Sequence, residues 1–356
     1  MNMEDLLAHG GAGWMGGSGE DSDVVLSSRI RLARNLRQIP FPNAASGEQL
    51  EHVLQVCGNL LESARGLGDL TLFRMNQLEP LDRQLLVERH LVSPQQATDV
   101  EHKGVIIQSD ETVSIMINEE DHLRIQAFQP GLALNKALEL GNRFDDYLDA
   151  GLQYAFDDGR GYLTACPTNL GTGLRASVMV HLPALSLAQQ IRRLSVGLGQ
   201  IGLVVRGLYG EGSEMVGNIY QISNQITLGP REQDIISHLT DVTHQVILQE
   251  RGARQALVDQ NRLALEDRVW RALGTLRYAR QLSTQDALTF LSDVRLGIDL
   301  GLITGIQPIV LQELLVQIRP AHLQRLMGRE MDASARDVAR AAWIRRRIAE
   351  ALGEKD

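Results

Sequence analysis

Apolar and polar residues alternate with period two in some stretches of the chain and follow a helical period in others. Alternation predicts a strand over 24–36, and short apolar runs predict further strands at 69–75, 104–107, 113–117, 176–182 and 203–205. Helical spacing predicts helices over 47–66, through 85–90 and over 132–156. A polar turn at 109–111 joins two of the strands, which indicates an antiparallel hairpin.

After Pro230 the strand patterns end and helical patterns continue, beginning with 232–278. Ser283 before an acidic first turn, together with Pro308, Pro320 and Asp332, marks the starts of further helices. The pattern therefore predicts an α+β fold. An antiparallel sheet flanked by helices comes first and an all-helical C-terminal domain follows, with a flexible glycine-rich leader at 1–20 and domains at 21–255 and 256–356.

One glycine motif is excluded by its position. The run 197–202 matches the dinucleotide fingerprint Gly-x-Gly-x-x-Gly, but a predicted helix precedes it and a predicted strand follows it. A dinucleotide-binding fold needs the reverse order. We interpret the run as a helix-to-strand turn.

Composition narrows the function classes. A net charge of −9 argues against general nucleic-acid binding, which needs a basic surface. The two cysteines, Cys57 and Cys166, show no disulfide or zinc-ligand spacing, which favours a reducing cytoplasm. We expect neither a signal peptide nor a membrane span. Only three of the 35 basic residues are lysines and no Walker loop is present, so any cationic site must consist of arginines.

Polar loops and strand ends carry the candidate chemistry. The run 166–175 holds Cys166, small polar residues, glycines and an arginine, and by itself it fits either the floor of an active site or a surface loop with an inert thiol. Arg29 and Arg31 project from one strand face at period two. Three consecutive acids, 119–121, follow a predicted strand, and a glycine-spaced loop after Arg206 carries Glu211.

Together these residues suit transfer of a phosphoryl group to a guanidinium. Five arginines (Arg29, Arg31, Arg124, Arg175 and Arg206) could bind the oxygens of a triphosphate with their planar forks. Glu120 and Glu211 could clamp a cationic planar acceptor, orient its nitrogen and accept a proton.

Four ordered segments, 27–31, 118–124, 166–175 and 206–211, resemble the successive motifs of the ATP:guanido phosphotransferases, the family of arginine and creatine kinases. The resemblance implies a catalytic role for Glu120, Glu211 and Cys166, with ATP as substrate and Mg²⁺ bound through the nucleotide without a direct protein ligand. The nucleotide-binding residues that it implies are Ser27, Ser28, Arg29, Ile30, Arg31, His90, Arg124, Arg175, Ala176, Ser177, Val178, Met179, Arg206, Gly207 and Gly210.

The chain departs from the small-molecule members of that family in two ways. Those kinases carry a helical domain of roughly a hundred residues before the first arginine motif, whereas Arg29 lies close to the amino terminus here. Met179 stands where they often have histidine. The first departure leads us to expect an open site that admits a polypeptide.

The C-terminal helical region resembles that of the bacterial protein-arginine kinases. Arg336, Asp337, Arg340 and Ala341 match a phosphoarginine-binding pocket with an allosteric role, although by pattern alone they fit a solvated, salt-bridged helix face. The resemblance implies a cytoplasmic homo-oligomer in stress response and protein quality control. Its implied partners are arginine-bearing protein substrates such as a heat-shock repressor, a zinc-finger activator and the Clp protease, with no nucleic acid and no membrane.

Two other functions fit the same residues. The chain could be a kinase of free arginine or of another small guanidino compound. It could also be an adaptor that binds phosphoarginine and nucleotide without catalysis, although such an adaptor would not need Glu120, Cys166 and Glu211 together.

Overall fold

The computed structural model describes Trp14, residues 19–207 and residues 216–354. Its centre is an eight-stranded antiparallel sheet in the order β2-β3-β4-β5-β1-β8-β10-β9, so that β1 lies in the middle. A separate two-stranded hairpin is formed by β6 and β7. The strands are β1 Val25–Arg34, β2 Leu70–Arg74, β3 Gly104–Gln108, β4 Val113–Ile117, β5 Leu123–Pro130, β6 Phe156–Asp157, β7 Gly161–Tyr162, β8 Leu174–His181, β9 Leu203–Arg206 and β10 Ile219–Asn224.

Helices flank the sheet and then make up the rest of the chain, which confirms the predicted α+β architecture with a helical C-terminal region. The turn at 197–202 indeed runs from a helix into a strand. The helices are α1 Gly47–Glu62, α2 Pro80–Glu88, α3 Pro94–Thr98, α4 Leu134–Gly151, α5 Pro183–Leu187, α6 Ile191–Gln200, α7 Glu232–Tyr278, α8 Thr284–Asp299, α9 Pro308–Gln317, α10 Pro320–Met327 and α11 Ala333–Ala351.

The two faces of the sheet carry different side chains and are covered differently, because side chains alternate along each strand. One face carries Ile30, Val178 and other fully buried apolar residues, and it packs under α1, α4 and the first half of α7. On the opposite face, α2 and α3 cover only the β2–β4 end. Over β5, β1, β8, β10 and β9, Leu315 and Val316 of α9 cover one end of this face through Ile219 and Phe128. The rest of it is left for a polar site.

The predicted helix over 232–278 contains a break that its sequence pattern does not show. Asn261 has non-helical backbone angles (φ −157°, ψ 70°), and its side-chain Oδ1 accepts a hydrogen bond from the Ala264 N–H at 3.1 Å. An asparagine oxygen that caps the new helix compensates for the interrupted backbone ladder. Helix α7 therefore consists of two helices with different directions.

The C-terminal helices are joined to the sheet at several places besides α7. The carboxylate of Glu88, at the end of α2, accepts the N–H groups of Ala321 and His322 at 2.9 Å each, and so caps the start of α10. At the other end of α10, Arg325 Nε donates to Asp82 Oδ1 on α2 at 2.8 Å. Buried contacts thus connect the two parts of the chain far from the break in α7.

Trp14 lies within the predicted leader but is buried, at 6% exposure, against Phe128 of β5 and Val316 of α9. The prediction of a flexible segment otherwise falls on residues 1–13 and 15–18, which lie outside the described residues. Among the helices of the described residues, none combines the length and the apolar character needed to cross a membrane.

Candidate active site

Five arginines from four strands share one face of the sheet. Arg29 and Arg31 alternate along β1, and the register places Arg175 of β8 directly opposite Arg31. Arg124 of β5 lies opposite Ala33 on the same face. Arg206 of β9 joins them through the register of β10, since Gln221 pairs with both Arg206 and Met179. We call this set the arginine face, and the structure brings together all five arginines named from the sequence.

The arginine face forms the floor of a cleft with two lobes. A first lobe of about 480 Å³ contains Glu120, Cys166, Thr168 and Asn169. A second lobe of about 250 Å³ contains Arg29, His90, Ser93 and Gln221. The two lobes are continuous because both are lined by Arg31, Arg124, Arg175 and Arg206.

Positive charge is concentrated where little water can screen it. Burial, followed by the charges of Arg124 and Arg175, lowers the pKa of Arg29 to about 9. Burial and four neighbouring guanidinium groups lower the pKa of Arg31 well below its usual value. The buried Nε of Arg31 has no hydrogen-bond partner within the part of the chain that the structure describes. A polyanion would supply both the missing charge and the missing acceptors.

Arg124 differs from its neighbours because it has a buried counter-charge. Its NH1 donates to Glu119 Oε2 at 2.6 Å, and the other carboxylate oxygen of Glu119 accepts from Ser93 Oγ at 2.5 Å. Burial acts to lower the pKa of Arg124, but the carboxylates of Glu119 and its neighbours raise it overall. Glu119 therefore holds Arg124 in one orientation and keeps it charged.

Glu120 is the middle residue of the acidic turn 119–121 and lines the first lobe. Partial loss of hydration, then the charges of Asp121 and Glu119, raise the pKa of Glu120. Arg124 and a hydrogen bond with Cys166 act in the opposite direction without cancelling the shift. The thiol and the carboxylate named from the sequence thus line the same lobe, close enough for the thiol to act on the pKa of Glu120.

Hydrogen bonds from distant segments hold the loop of Cys166 in place. Asp121 Oδ1 accepts from the Ala165 N–H at 2.7 Å and from Asn35 Nδ2 at 2.6 Å. On the other side, Thr227 Oγ1 donates to the carbonyls of Thr168 and Leu170 at 3.0 and 2.7 Å. The half-buried Sγ of Cys166 lies 3.0 Å from Thr168 Oγ1. The thiol is therefore presented by a fixed loop.

Four residues that the resemblance assigned to ATP binding have side chains that face away from the cleft. Ile30, Ala176 and Val178 are fully buried on the opposite face, because they alternate with the arginine-face positions. The Oγ of Ser28 donates to the Gly131 carbonyl at 2.8 Å and also faces away. Their backbone groups lie within the sheet, so they can contribute only by supporting it.

The remaining assigned positions of these motifs fall into three groups. Ser27, Ser177 and Met179 lie on the same face as Arg29 and line a small cavity beside it. Gly207 is buried directly after β9. Gly210 and Glu211 lie outside the described residues.

His90 lines the second lobe from an unusual backbone conformation. Its φ is 62°, in the left-handed region that non-glycine residues rarely adopt. Burial, with smaller effects from Arg29 and Arg319, lowers the pKa of His90 to about 3, so the ring is neutral at physiological pH. Its ring contacts Trp14, with centroids 5.6 Å apart.

The residues predicted to bind phosphoarginine lie together on α11, away from the cleft. Arg340 is buried and donates to the carbonyls of Ile318 and Leu282 at 2.9 and 2.8 Å and to Asp337 Oδ1. Arg336 donates to the Met331 carbonyl at 2.6 Å. A partly exposed carboxylate thus lies next to two guanidinium groups, and Ala341 is buried beneath them.

Sequence reasoning did not identify the residues that position this site. Glu119, Asp121, Asn35, Ser93 and Thr227 act through contacts with segments 26 to 86 residues away. The sequence signal for Glu119 and Asp121 was their place in the run of three consecutive acids at a strand end. Among the described residues, one group could hold a metal ion by itself, formed by Glu20, Asp21 and His244 outside the cleft, and Asp21 there is already paired with Arg251.

Family comparisons agree with this geometry. The family model described as the ATP:guanido phosphotransferase C-terminal catalytic domain matches residues 51–253. A second model, described as the protein-arginine kinase McsB C-terminal domain, matches residues 262–356. Among solved structures, a lombricine kinase is 29% identical with a TM-score of 0.58, covering 68% of this chain and 70% of its own. The duplicated taurocyamine kinase of Schistosoma mansoni is 27% identical with a TM-score of 0.59, covering 64% of this chain and 33% of its own.

Full-length relatives are closer in sequence. Proteins named protein-arginine kinase are 49% identical over 350 residues in Brevibacillus brevis and 51% identical over 351 residues in Symbiobacterium thermophilum. The protein of that name in Bacillus subtilis is 47% identical over 350 residues. These matches cover 98% of this chain and 96% to 99% of the relatives. The chain therefore belongs to the ATP:guanido phosphotransferase family, and within it to the bacterial protein-arginine kinases.

Proposed function

We propose that this phosphotransferase moves the γ-phosphate of ATP to the guanidinium groups of arginine side chains in proteins. The observation that carries the proposal is the arginine face, which continues into a lobe holding Glu120 and Cys166. The names of the full-length relatives support protein-bound arginine as the acceptor.

The arginine face suits the donor. Guanidinium forks bind phosphate oxygens bidentately and spread their charge over a phosphoryl group that is being transferred. The lowered pKa values of Arg29 and Arg31 mean that their positive charges are poorly compensated before nucleotide binds. Binding of a triphosphate would relieve that repulsion, and Glu119 would keep Arg124 aligned.

The first lobe suits the acceptor. A guanidinium has a pKa above about 12 and is a weak nucleophile, so it needs orientation and a base. In our scheme Glu120 orients the terminal nitrogen, which attacks the γ-phosphorus while the bond to the ADP oxygen breaks. The nitrogen gives up its proton to Glu120, whose raised pKa makes it a better base than an ordinary carboxylate.

Two further residues complete the proposed chemistry. Cys166 would tune the charge of Glu120 through their shared hydrogen bond. Glu211 remains the predicted second carboxylate of the acceptor clamp.

The donor groups of the cleft fit a Mg²⁺ ion that arrives with the nucleotide. Of the described residues that line the cleft, Glu120 is the one carboxylate. The ion would be held by phosphate oxygens and water, as is common for this cation. When bound, it would neutralise part of the phosphate charge.

We also propose that Arg336, Asp337 and Arg340 bind phosphoarginine and regulate the enzyme. The carboxylate of Asp337 can accept from a guanidinium, and the two arginines can donate to a phosphoryl group. Replacing Arg336 and Asp337 by alanine should remove stimulation by added phosphoarginine and preserve basal transfer. Stimulation that survives would place the pocket elsewhere.

The remaining cellular roles stay predictions from the resemblance. They are homo-oligomer formation, action in the cytoplasm, the marking of proteins for regulation or degradation, and work with a heat-shock repressor, a zinc-finger activator and the Clp protease.

Transfer from radiolabelled Mg-ATP tests the main proposal. The acceptors are free arginine and, separately, an unfolded arginine-rich protein, and acid lability of the product distinguishes a P–N bond from a phosphate ester. Acid-labile label on protein alone supports the proposal, whereas label on free arginine alone makes the chain a metabolite kinase. The Glu120→Gln variant should lose transfer and keep ATP binding, and wild-type turnover in that variant would contradict the role of Glu120.

A further inference from the structure

Four large apolar side chains are exposed around the loop that carries Cys166. Phe156 on β6 is 54% exposed, and Ile226 and Leu228 after β10 are 57% and 52% exposed. Ile201, after α6, is 46% exposed. We call these four residues the outer band. Single exposed apolar residues are ordinary, but a group that borders one loop indicates a binding surface.

Direct contacts join the band to the loop on the side of Phe156. The ring of Phe156 packs edge-on against Tyr162, with centroids 5.2 Å apart. Tyr162 in turn exchanges backbone hydrogen bonds with Gly171, at 2.8 and 3.4 Å. Phe156 is therefore only one residue removed from the Cys166 loop.

The other side of the loop is equally close to the band. Gly171 has a φ of 107°, and a Cβ there would lie 2.8 Å from the Cα of Leu228, so only glycine allows this approach. Ile226 lies two residues before Leu228, and its Cδ1 lies 3.1 Å from where a Cβ of Gly202 would be, next to Ile201. The band thus passes from one side of the loop to the other.

The inner side of the same loop lines the catalytic cleft. Cys166, Thr168 and Asn169 face the first lobe, and so does Gln225, which directly precedes Ile226 in the chain. Thr227, between the two exposed residues, is buried and ties the segment to the loop. A polypeptide that places one of its side chains in the first lobe, beside Cys166, would therefore lie next to the outer band.

We propose that the outer band binds apolar side chains that flank the acceptor arginine of an extended or unfolded polypeptide. This inference rests on the proposed function and names its substrate class. Folded proteins bury such side chains, so the enzyme would select arginines in chains that have lost their structure. Asp157 and Asp158 are exposed beside Phe156 and, together with Arg160 in the same turn, leave a net negative charge there. That charge favours a basic polypeptide segment over an acidic one.

Two peptides test the inference. Each carries one arginine and the same net charge, but one has leucine and phenylalanine on both sides of the arginine and the other has serine and glycine. With saturating Mg-ATP, we expect the wild-type enzyme to show at least a tenfold higher kcat/KM for the apolar peptide. The double variant Phe156→Ser, Leu228→Ser should reduce that preference to about twofold by raising KM for the apolar peptide, with KM for ATP unchanged.

A control variant removes at least as much exposed apolar surface elsewhere. Leu263 and Trp270 on α7 are 76% and 53% exposed and lie outside the lining of the cleft. The double variant Leu263→Ser, Trp270→Ser should keep the wild-type preference. If it loses the preference as fully as the band variant does, a general surface effect replaces the proposed one.

Other outcomes separate this inference from the function on which it rests. Equal kcat/KM for both peptides in the wild-type enzyme overturns the band proposal and leaves arginine phosphorylation intact. Labelling of neither peptide, with label on free arginine, overturns both. A changed molar mass of the band variant in solution, with its preference intact, makes the band a contact between copies of the chain.

Photo-crosslinking tests the inference without any variant of the enzyme. A benzophenone in the apolar flank of the peptide should crosslink wild-type enzyme at 156 or 226–228. Crosslinks confined to other segments contradict the proposal even if the band variant fails to fold.

Discussion

The buried pair of Glu119 and Arg124 gives a prediction whose size follows from the structure. The change Glu119→Gln keeps the shape of the side chain and removes the counter-charge of Arg124, which lies among four other arginines. Loss of one partner of a fully buried ion pair costs about 3–5 kcal/mol. Because the Arg124 side chain is 25% exposed, we reduce this to about 2–4 kcal/mol in the free energy of unfolding.

Thermal unfolding at pH 7.5 measures this cost. At about 2.1 cal/mol/K per residue, unfolding of 356 residues has an entropy of about 0.75 kcal/mol/K. Each kcal/mol then corresponds to about 1.3 °C, so the melting temperature of Glu119→Gln should fall by about 3–5 °C. Saturating ATP should narrow the gap to wild type, because the triphosphate supplies the missing negative charge. Turnover should fall as well, since Arg124 loses its orientation.

A surface pair of the same kind is the control. Glu51 Oε1 lies 2.8 Å from Arg74 NH1, but the two side chains are 40% and 33% exposed. Such a pair contributes about 0–1 kcal/mol, so Glu51→Gln should melt close to wild type. The reasoning is refuted if the two variants melt within about 1 °C of each other, because burial would then not distinguish the two pairs.

The pH dependence of the same variant has a definite sign. Despite burial, the charge of Arg124 and the hydrogen bond from Ser93 lower the pKa of Glu119 below its ordinary 4.5. A carboxyl with a lowered folded pKa contributes stability above its unfolded pKa and loses it as the pH falls through the folded one. The difference in melting temperature between wild type and Glu119→Gln should therefore be constant from pH 6 to 8 and close below pH 4.5. A gap that grows on acidification would contradict this.

Three further predictions concern the cleft. Iodoacetamide at pH 8 should modify Cys166 and spare Cys57, because burial raises the pKa of Cys57 to about 12; mass spectrometry that finds label on Cys57 of folded protein would contradict this. Asp121→Asn should lower kcat about tenfold to a hundredfold with little change in KM for ATP, because it loosens the Ala165 N–H and the loop of Cys166; steady-state kinetics with an equal rise in KM would speak against it. Since the pKa of His90 is about 3, His90→Asn should leave the shape of the pH profile of kcat/KM for ATP unchanged between pH 5 and 9, and a lost inflection near pH 6.5 would show that His90 titrates there.

Local rules predicted the parts of the site that depend on strand geometry. Period two along β1 was enough to place Arg29 and Arg31 on one face, and the same rule explains why Ile30 and Val178 face the core. A family motif that runs along such a strand therefore places only alternate side chains on the cleft face. The predicted order of helix and strand at 197–202 is confirmed.

Long-range packing determined what the sequence could not show. Three adjacent acids look equivalent, yet Glu119 is buried because Ser93 and Arg124 meet it there. The break at Asn261 has no proline or glycine to mark it, and only the capping of Ala264 reveals it. Such choices depend on contacts that form when the whole chain folds, so a local pattern does not contain them.

The capping of α10 by Glu88 has a consequence for how the protein loses its structure. Family models treat the chain as two consecutive pieces, but two contacts join these pieces. The Glu88 carboxylate accepts N–H groups of α10, and Arg295 NH2 of α8 donates to the Ser22 carbonyl at 2.6 Å, just before β1. Removing the helices would leave the Glu88 carboxylate, the N-terminal strand and the surroundings of His90 without their partners. The boundary between the two family models therefore does not separate two parts that unfold independently. We expect the whole chain to unfold in one cooperative transition.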